Sequence, residues 1–208
     1  MQNFDIKNRV PKYFLEHVVS PACKNDQNII NAFKDVPRAA FLEQGMISKA
    51  YEDVALPIGM GQTISQVTTV AHMLYSLELK QSDTVLEIGA GSGFVTALLS
   101  KLVNRVYAIE RIPQLMEKAR KTIKSLRVTN AIIKTGDGSL GWEEFGPYDK
   151  IIASAGATKI PESLISQLKD GGILVLPLNG NLVKLSKVNG EIKSEVGPTC
   201  QFVDFVGS

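Results

Sequence analysis

The chain has 208 residues, 44% of them hydrophobic, which suits one domain with a proper core. Lys and Arg total 23 against 21 Asp and Glu, a formal charge of +2, and Lys118-Ala119-Arg120-Lys121 with Lys124 reads as a solvated helix face, so nothing points to nucleic acid as a partner. No apolar run is long enough to span a bilayer, Met1-Gln2-Asn3-Phe4-Asp5 has no charged-then-apolar signal pattern, and no ligand spacing surrounds Cys23 or Cys200, so a cytoplasmic protein with no metal and no membrane partner is expected.

In chain order, Asp26 to Phe33 reads as a helix ahead of Val36-Pro37-Arg38. Ala55 to Gln66 contains Pro57, Gly59 and Gly61 and is expected as a loop. Gln66 to Leu77 fits a helix, because Val67, Val70, Ala71, Leu74 and Leu77 share one face at helical spacing. From Thr84 a new rhythm begins. Thr84 to Ile88, Arg105 to Ile109, Ala131 to Lys134, Tyr148 to Ser154 and Ile173 to Pro177 read as strands. Helices are expected at Gly93 to Leu102, Pro113 to Leu126 and Glu162 to Leu168. Leu182 to Val188, Asn189-Gly190 and Glu191 to Lys193 form a hairpin pattern, and Cys200 to Val206 reads as a last strand. The fold class is therefore α/β: a Rossmann-like, mostly parallel sheet flanked by helices, with an N-terminal helical extension and antiparallel strands at the C-terminal end.

Within this pattern, Val85 to Gly93 runs an apolar strand into a glycine-rich turn that opens a helix, where main chain and ligand can approach closely. A dinucleotide fingerprint would place its third glycine at position 94, which is Phe94; here the third is Gly93, giving G-x-G-x-G. That pattern resembles the first motif of class I methyltransferases, whose cofactor is S-adenosyl-L-methionine. Gly89, Ala90, Gly91, Ser92 and Gly93 are then cofactor-binding candidates. Glu110, 21 residues after Gly89 at a strand end and followed by Arg111, can accept from both ribose hydroxyls. Asp137, with Gly138, occupies the place where such enzymes commonly contact the adenine amino group, although an Asp between two glycines also suits a plain turn. Glu87 orients the loop or touches the methionine end.

Leu56-Pro57-Ile58-Gly59-Met60-Gly61-Gln62-Thr63-Ile64-Ser65 is similar to the signature loop of protein-L-isoaspartate O-methyltransferases. Further matches follow in order: Val36-Pro37-Arg38, Tyr51-Glu52-Asp53, Gly136-Asp137-Gly138, Gly146-Pro147-Tyr148-Asp149, Ile160-Pro161, Gln167-Leu168-Lys169 and Gly171-Gly172. The resemblance implies a single methyltransferase domain. Residues 1–80 would be a helical extension carrying the substrate loop 55–66, and residues 81–208 the cofactor-binding core. It implies methyl transfer to the free α-carboxylate of isoaspartyl residues in damaged proteins and peptides. Ser65 matches the active-site serine, Pro57, Ile58, Thr63, Ile64 and Ser65 would meet the substrate, and Thr63 would also border the cofactor. The chain departs from the family where Gln66 is followed by Val67 rather than Pro, and where Phe202-Val203-Asp204-Phe205 replaces F-V-P-L.

The acceptor carboxylate is ionised at neutral pH, with a reference pKa of about 3.5, so no general base is required. His17 and His72 are accordingly read as ordinary residues. A different acceptor on the same scaffold, a non-catalytic binding module, and an NAD-linked enzyme, disfavoured by Phe94, stay open at this point. So does the oligomeric state, with a monomer as the default.

Overall fold

The computed structural model describes residues 10–203. The chain enters through α1 (Lys12–Phe14), a π-helical stretch (Leu15–Val19) and α2 (Ser20–Ala22), a segment with no clear sequence signature. Then comes α3 (Gln27–Asp35), one residue later than the pattern suggested. Asp26 lies just outside it as the cap, its carboxylate accepting from the amides of Asn28 and Ile29 at 2.9 and 3.2 Å.

The expected loop over 55–66 is a correction. It is a small antiparallel hairpin, β1 (Leu56–Gly59) and β2 (Gln62–Ile64), with Leu56 opposite Ile64. Its two-residue tip, Met60-Gly61, takes positive φ at both positions, which brings the strands together where glycine and proline counts suggested only irregular chain. The helix α4 (Val67–Ser76) follows, and Val67, Val70, Ala71 and Leu74 are buried as their spacing predicts.

The main sheet contains β3 (Thr84–Ile88), β4 (Arg105–Glu110), β5 (Ala131–Thr135), β6 (Tyr148–Ala153), β7 (Leu168–Leu178), β8 (Asn181–Val188) and β9 (Glu191–Thr199). Its order is β5-β4-β3-β6-β7-β8-β9. The first five of these are parallel, and the last two pairings are antiparallel. The helices α5 (Phe94–Leu102), α6 (Pro113–Ser125) and α7 (Glu162–Ser166) connect the parallel strands. On α6, Lys118, Arg120, Lys121 and Lys124 are exposed while Ala119 is buried, so the basic run is the solvated face its composition implied.

The C-terminal end also differs from expectation. The Asn189-Gly190 turn has both residues at positive φ, but β9 continues past Lys193 to Thr199. It is an edge strand exposed along its whole length, so no buried alternation marks it in sequence, and Pro198 is tolerated there. Of the strand expected over Cys200 to Val206, residues 200–203 form none. Positions 204–206, including Asp204, lie outside the described residues, as does the N-terminal pentapeptide.

Period-2 alternation divides the sheet into two buried layers. Val85, Val106, Ala108 and Ile133 face one core, together with α4, α5 and the N-terminal helices. Leu86, Ile88, Ile109 and Ile151 face the other, with α7 and β8. Phe94 ties the N-terminal segment to the first layer, standing edge-on to Phe33 and Phe41 at 5.9 and 5.3 Å. Chain progression reverses at β3, whose neighbours are β4 on one side and β6 on the other. Such a switch point leaves a crevice beyond the strand C-termini, where no connection crosses.

Candidate active site

That crevice is a cleft of about 900 Å³ including its open mouth. One wall is the β1–β2 hairpin and its exit, from Gln62 to Ser65. The opposite wall is the end of β3 with its turn, from Glu87 to Ser92. Glu110 at the end of β4 and Arg111 just past it, Gly138 after β5, and Ser154 and Ala155 after β6 complete the strand-end rim. Val203 closes one side, and its carbonyl accepts from the Gly156 amide at 2.8 Å.

The cleft brings together Thr63, Ile64, Ser65, Glu87, Gly89, Ala90, Gly91, Ser92, Glu110, Arg111 and Gly138 from the sequence-based candidates. Four others stand off its lining. Pro57 is exposed, while Ile58 is buried behind the turn, where a methyl built on Gly91 would meet its Cδ1 at 3.4 Å. Gly93 opens α5 at φ +84, and a methyl there would press on Ala119 and Ile123 of α6 at 3.1 and 3.3 Å. Its lack of a side chain therefore serves helix packing. Asp137 caps a 3-10 turn, accepting from the amide and hydroxyl of Ser139, each at 2.8 Å. Its neighbour Gly138 reaches the lining instead, and a methyl on Gly138 would overlap Ile88 Cγ2.

Two carboxylates dominate the electrostatics. Glu110 is buried at the C-terminal end of β4; one oxygen accepts from the Gly91 amide at 2.7 Å and the other from the Ile112 amide at 2.8 Å. It thereby braces the glycine turn against the β4 exit, and each oxygen retains a second lone pair for a ligand hydroxyl. Glu87 is wholly buried on the β3 face that looks toward α5. Its Oε2 accepts from the Thr96 hydroxyl at 2.6 Å, while Oε1 has no hydrogen-bond partner among the described residues. Burial pushes this carboxyl up to about 7, against the Thr96 bond, and the Glu110 charge adds to the rise.

The hairpin wall is held from behind by groups with no assigned role in the sequence. The buried Arg38 guanidinium donates to four main-chain carbonyls, those of Ala50, Glu52, Val54 and Ser65. Asp53 accepts from the Thr68 amide and hydroxyl and from Gln66 Nε2, each at 2.9 Å, capping α4 from a distant segment. Ser154 and Ala155 were also missed; their position just past a parallel strand is the signal that could have found them. His17 stacks on Tyr13 at an exposed position, and His72 lies on α4 with its pKa lowered by burial and by Lys24. Neither lines the cleft.

A family profile, protein-L-isoaspartate(D-aspartate) O-methyltransferase, matches residues 12–208. The chain belongs to that family. A protein-L-isoaspartate O-methyltransferase from Dictyoglomus turgidum is 48% identical over 185 residues, 87% of this chain and 84% of that one. Another, from Trichlorobacter lovleyi, is 44% identical over 212 residues, covering 100% and 96% of the two chains. Among solved structures, a Plasmodium falciparum chain described as a protein-L-isoaspartate O-methyltransferase, in complex with S-adenosyl-L-homocysteine, superposes with a TM-score of 0.83. It is 25% identical, with 94% of this chain and 97% of that one covered.

Proposed function

We propose that this member of the family transfers the methyl group of S-adenosyl-L-methionine to the free α-carboxylate of L-isoaspartyl residues in proteins and peptides, the step that initiates their repair. The observation that carries this reading is the single cleft walled by Gly89 to Ser92 on one side and Thr63 to Ser65 on the other. The residues present fit the cofactor. A cationic ligand suits a cleft with two buried carboxylates, one of which has an oxygen with no partner among the described residues. Close approach to the main chain suits Gly89 and Gly91, which take positive φ at its wall.

When bound, the cofactor supplies an activated methyl on a positively charged sulfur. The acceptor would already be an ionised carboxylate, so transfer to one of its oxygens, with the carbon–sulfur pair left on sulfur, would need no residue here to take a proton from it. The protein's task is then alignment and exclusion of water. In this reading Glu110 takes the ribose hydroxyls, Glu87 faces the methionine end, and Gly138 with Asp137 lies toward the adenine. Ser65 and Thr63 hold the acceptor carboxylate through neutral donors, which leave it more nucleophilic than a Lys or Arg partner would. Ile64 and Val203 shield the reacting atoms, while Pro57 and Ile58 support the hairpin.

A methyl-transfer assay with an isoaspartyl peptide and its normal aspartyl twin tests the reading. Methylation of the first and not the second is expected. Equal rates, or none on either peptide while cofactor still binds, would refute it.

The Glu87 carboxyl gives a second expected result. In the free protein it holds a proton below pH 7, and a cationic ligand favours its ionised form. Cofactor binding should therefore release a proton below pH 7, and affinity should rise as pH increases toward 7 and level off above it. The slope is up to about tenfold per pH unit. Titration calorimetry between pH 5.5 and 8, in buffers of different ionisation heat, measures both quantities. Glu87→Gln should flatten the profile; an unchanged slope would mean another group carries the linkage.

A further inference from the structure

We propose that Arg38 is a positioning residue for methyl transfer, acting by fixing Ser65 at the junction of donor and acceptor sites; this rests on the reading of Ser65 given above. Arg38 is 1% exposed, and its guanidinium spreads over two segments of chain. Nη1 donates to the carbonyls of Ala50 and Glu52 at 3.0 and 3.2 Å, and Nη2 to those of Val54 and Ser65 at 2.8 and 3.0 Å. Three of these acceptors lie within five residues of one another. The fourth, Ser65, is 27 positions from Arg38 and sits where the hairpin wall passes into α4.

The same segment grips the chain on the other side of Ser65. Asp53, between two of the arginine's acceptors, takes the Gln66 amide group and the Thr68 amide and hydroxyl. Ser65 is thus held through its carbonyl by Arg38, and its successors are held by Asp53. Ser65 lines the cofactor cleft and also the adjoining groove with Gln66, Thr69 and Phe202. A shift of Ser65 therefore moves the acceptor side of the site and leaves Gly89 to Ser92 in place.

The chemistry of the guanidinium suits this task. It is a planar fork of five donors, so one rigid group reaches four acceptors that one ammonium cannot match. Burying a cation among neutral carbonyls is a costly way to add stability, and it holds one geometry. Misplacing a reacting group by about 1 Å can lower turnover about a hundredfold.

The test is Arg38→Lys and Arg38→Gln, alone and combined with Ser65→Ala, in the full chain with an isoaspartyl peptide. Arg38→Lys is expected to lower kcat by about tenfold or more, with the cofactor dissociation constant within about twofold of the parent. In the Ser65→Ala background it should cost little further, because the hydroxyl it positions is gone. Parental turnover in Arg38→Lys would overturn the proposal. So would fully multiplicative losses in the double variant. Loss of cofactor binding together with turnover in both Arg38 variants would also overturn it, since Arg38 would then hold the fold rather than the serine. Full turnover in Ser65→Ala alone would instead remove the reading of Ser65 on which the proposal stands.

Discussion

Replacing Glu110 with alanine is expected to raise the dissociation constant of S-adenosyl-L-methionine by about tenfold or more, about 1.4 kcal/mol for a lost charge-assisted pair. Two effects combine in this variant. The ligand loses its acceptor on the strand-end rim. The glycine turn also loses its brace, because the Gly91 and Ile112 amides each spend their bond on this carboxylate. Both amides are only partly buried at the cleft wall, where water can take the place of the carboxylate, so the ligand-free protein should lose less thermal stability than a fully buried unpaired amide, about 1–3 kcal/mol, would cost. Glu110→Gln separates the two effects. Its amide oxygen can still accept one main-chain bond, but its NH2 group would face the other amide as donor to donor. Binding should fall between parent and alanine variant. Titration calorimetry and a thermal melt of each variant measure the pair of effects, and an unchanged dissociation constant in the alanine variant would take Glu110 out of the site.

For Ser65→Ala the opposite division is expected: kcat with an isoaspartyl peptide falls by about tenfold to a hundredfold, and cofactor affinity stays within about twofold. The main chain at this position is anchored through its carbonyl to Arg38, so removing the hydroxyl leaves the hairpin wall where it is. The glycine turn faces it across the cleft and makes its own bonds to Glu110. The change is therefore confined to the donor offered to the acceptor carboxylate. Steady-state kinetics with peptide varied at saturating cofactor, together with calorimetry, read the two quantities separately. Equal losses in turnover and cofactor affinity would contradict the assignment.

Much of the sheet was legible because it is local. In 84–88, 105–110 and 148–153 the β-branched runs are short and apolar and are broken by turns, and parallel central strands buried on both faces read that way. The helices α4, α5 and α6 were legible from apolar spacing, and the last hairpin from Asn189-Gly190. The glycine turn and Glu110 were legible as a unit, since strand, loop, helix and next strand follow within one βαβ segment. Less was legible where solvent or chain crossing decides the outcome. The exposed edge β9 carries no alternation, and the Met60-Gly61 turn between β1 and β2 looked like ordinary loop composition. Gly93 belonged to the motif by position, yet its space is filled by α6, a helix that begins 20 residues later.

Sequence by itself determined the α/β rhythm, the glycine-rich turn and the family, because each depends on residues that are neighbours along the chain. Tertiary structure alone decided which candidates share a wall. It placed Thr63 to Ser65 opposite Gly89 to Ser92, and turned Gly93 away from the cleft. It also set Pro57 and Ile58 off the lining and put Ser154 and Ala155 on it. It gave Arg38 and Asp53 their partners 12 to 27 positions away. The physical reason is that backbone periodicity is set by near neighbours, whereas a buried cation or carboxylate must find its hydrogen bonds wherever the packed chain supplies them.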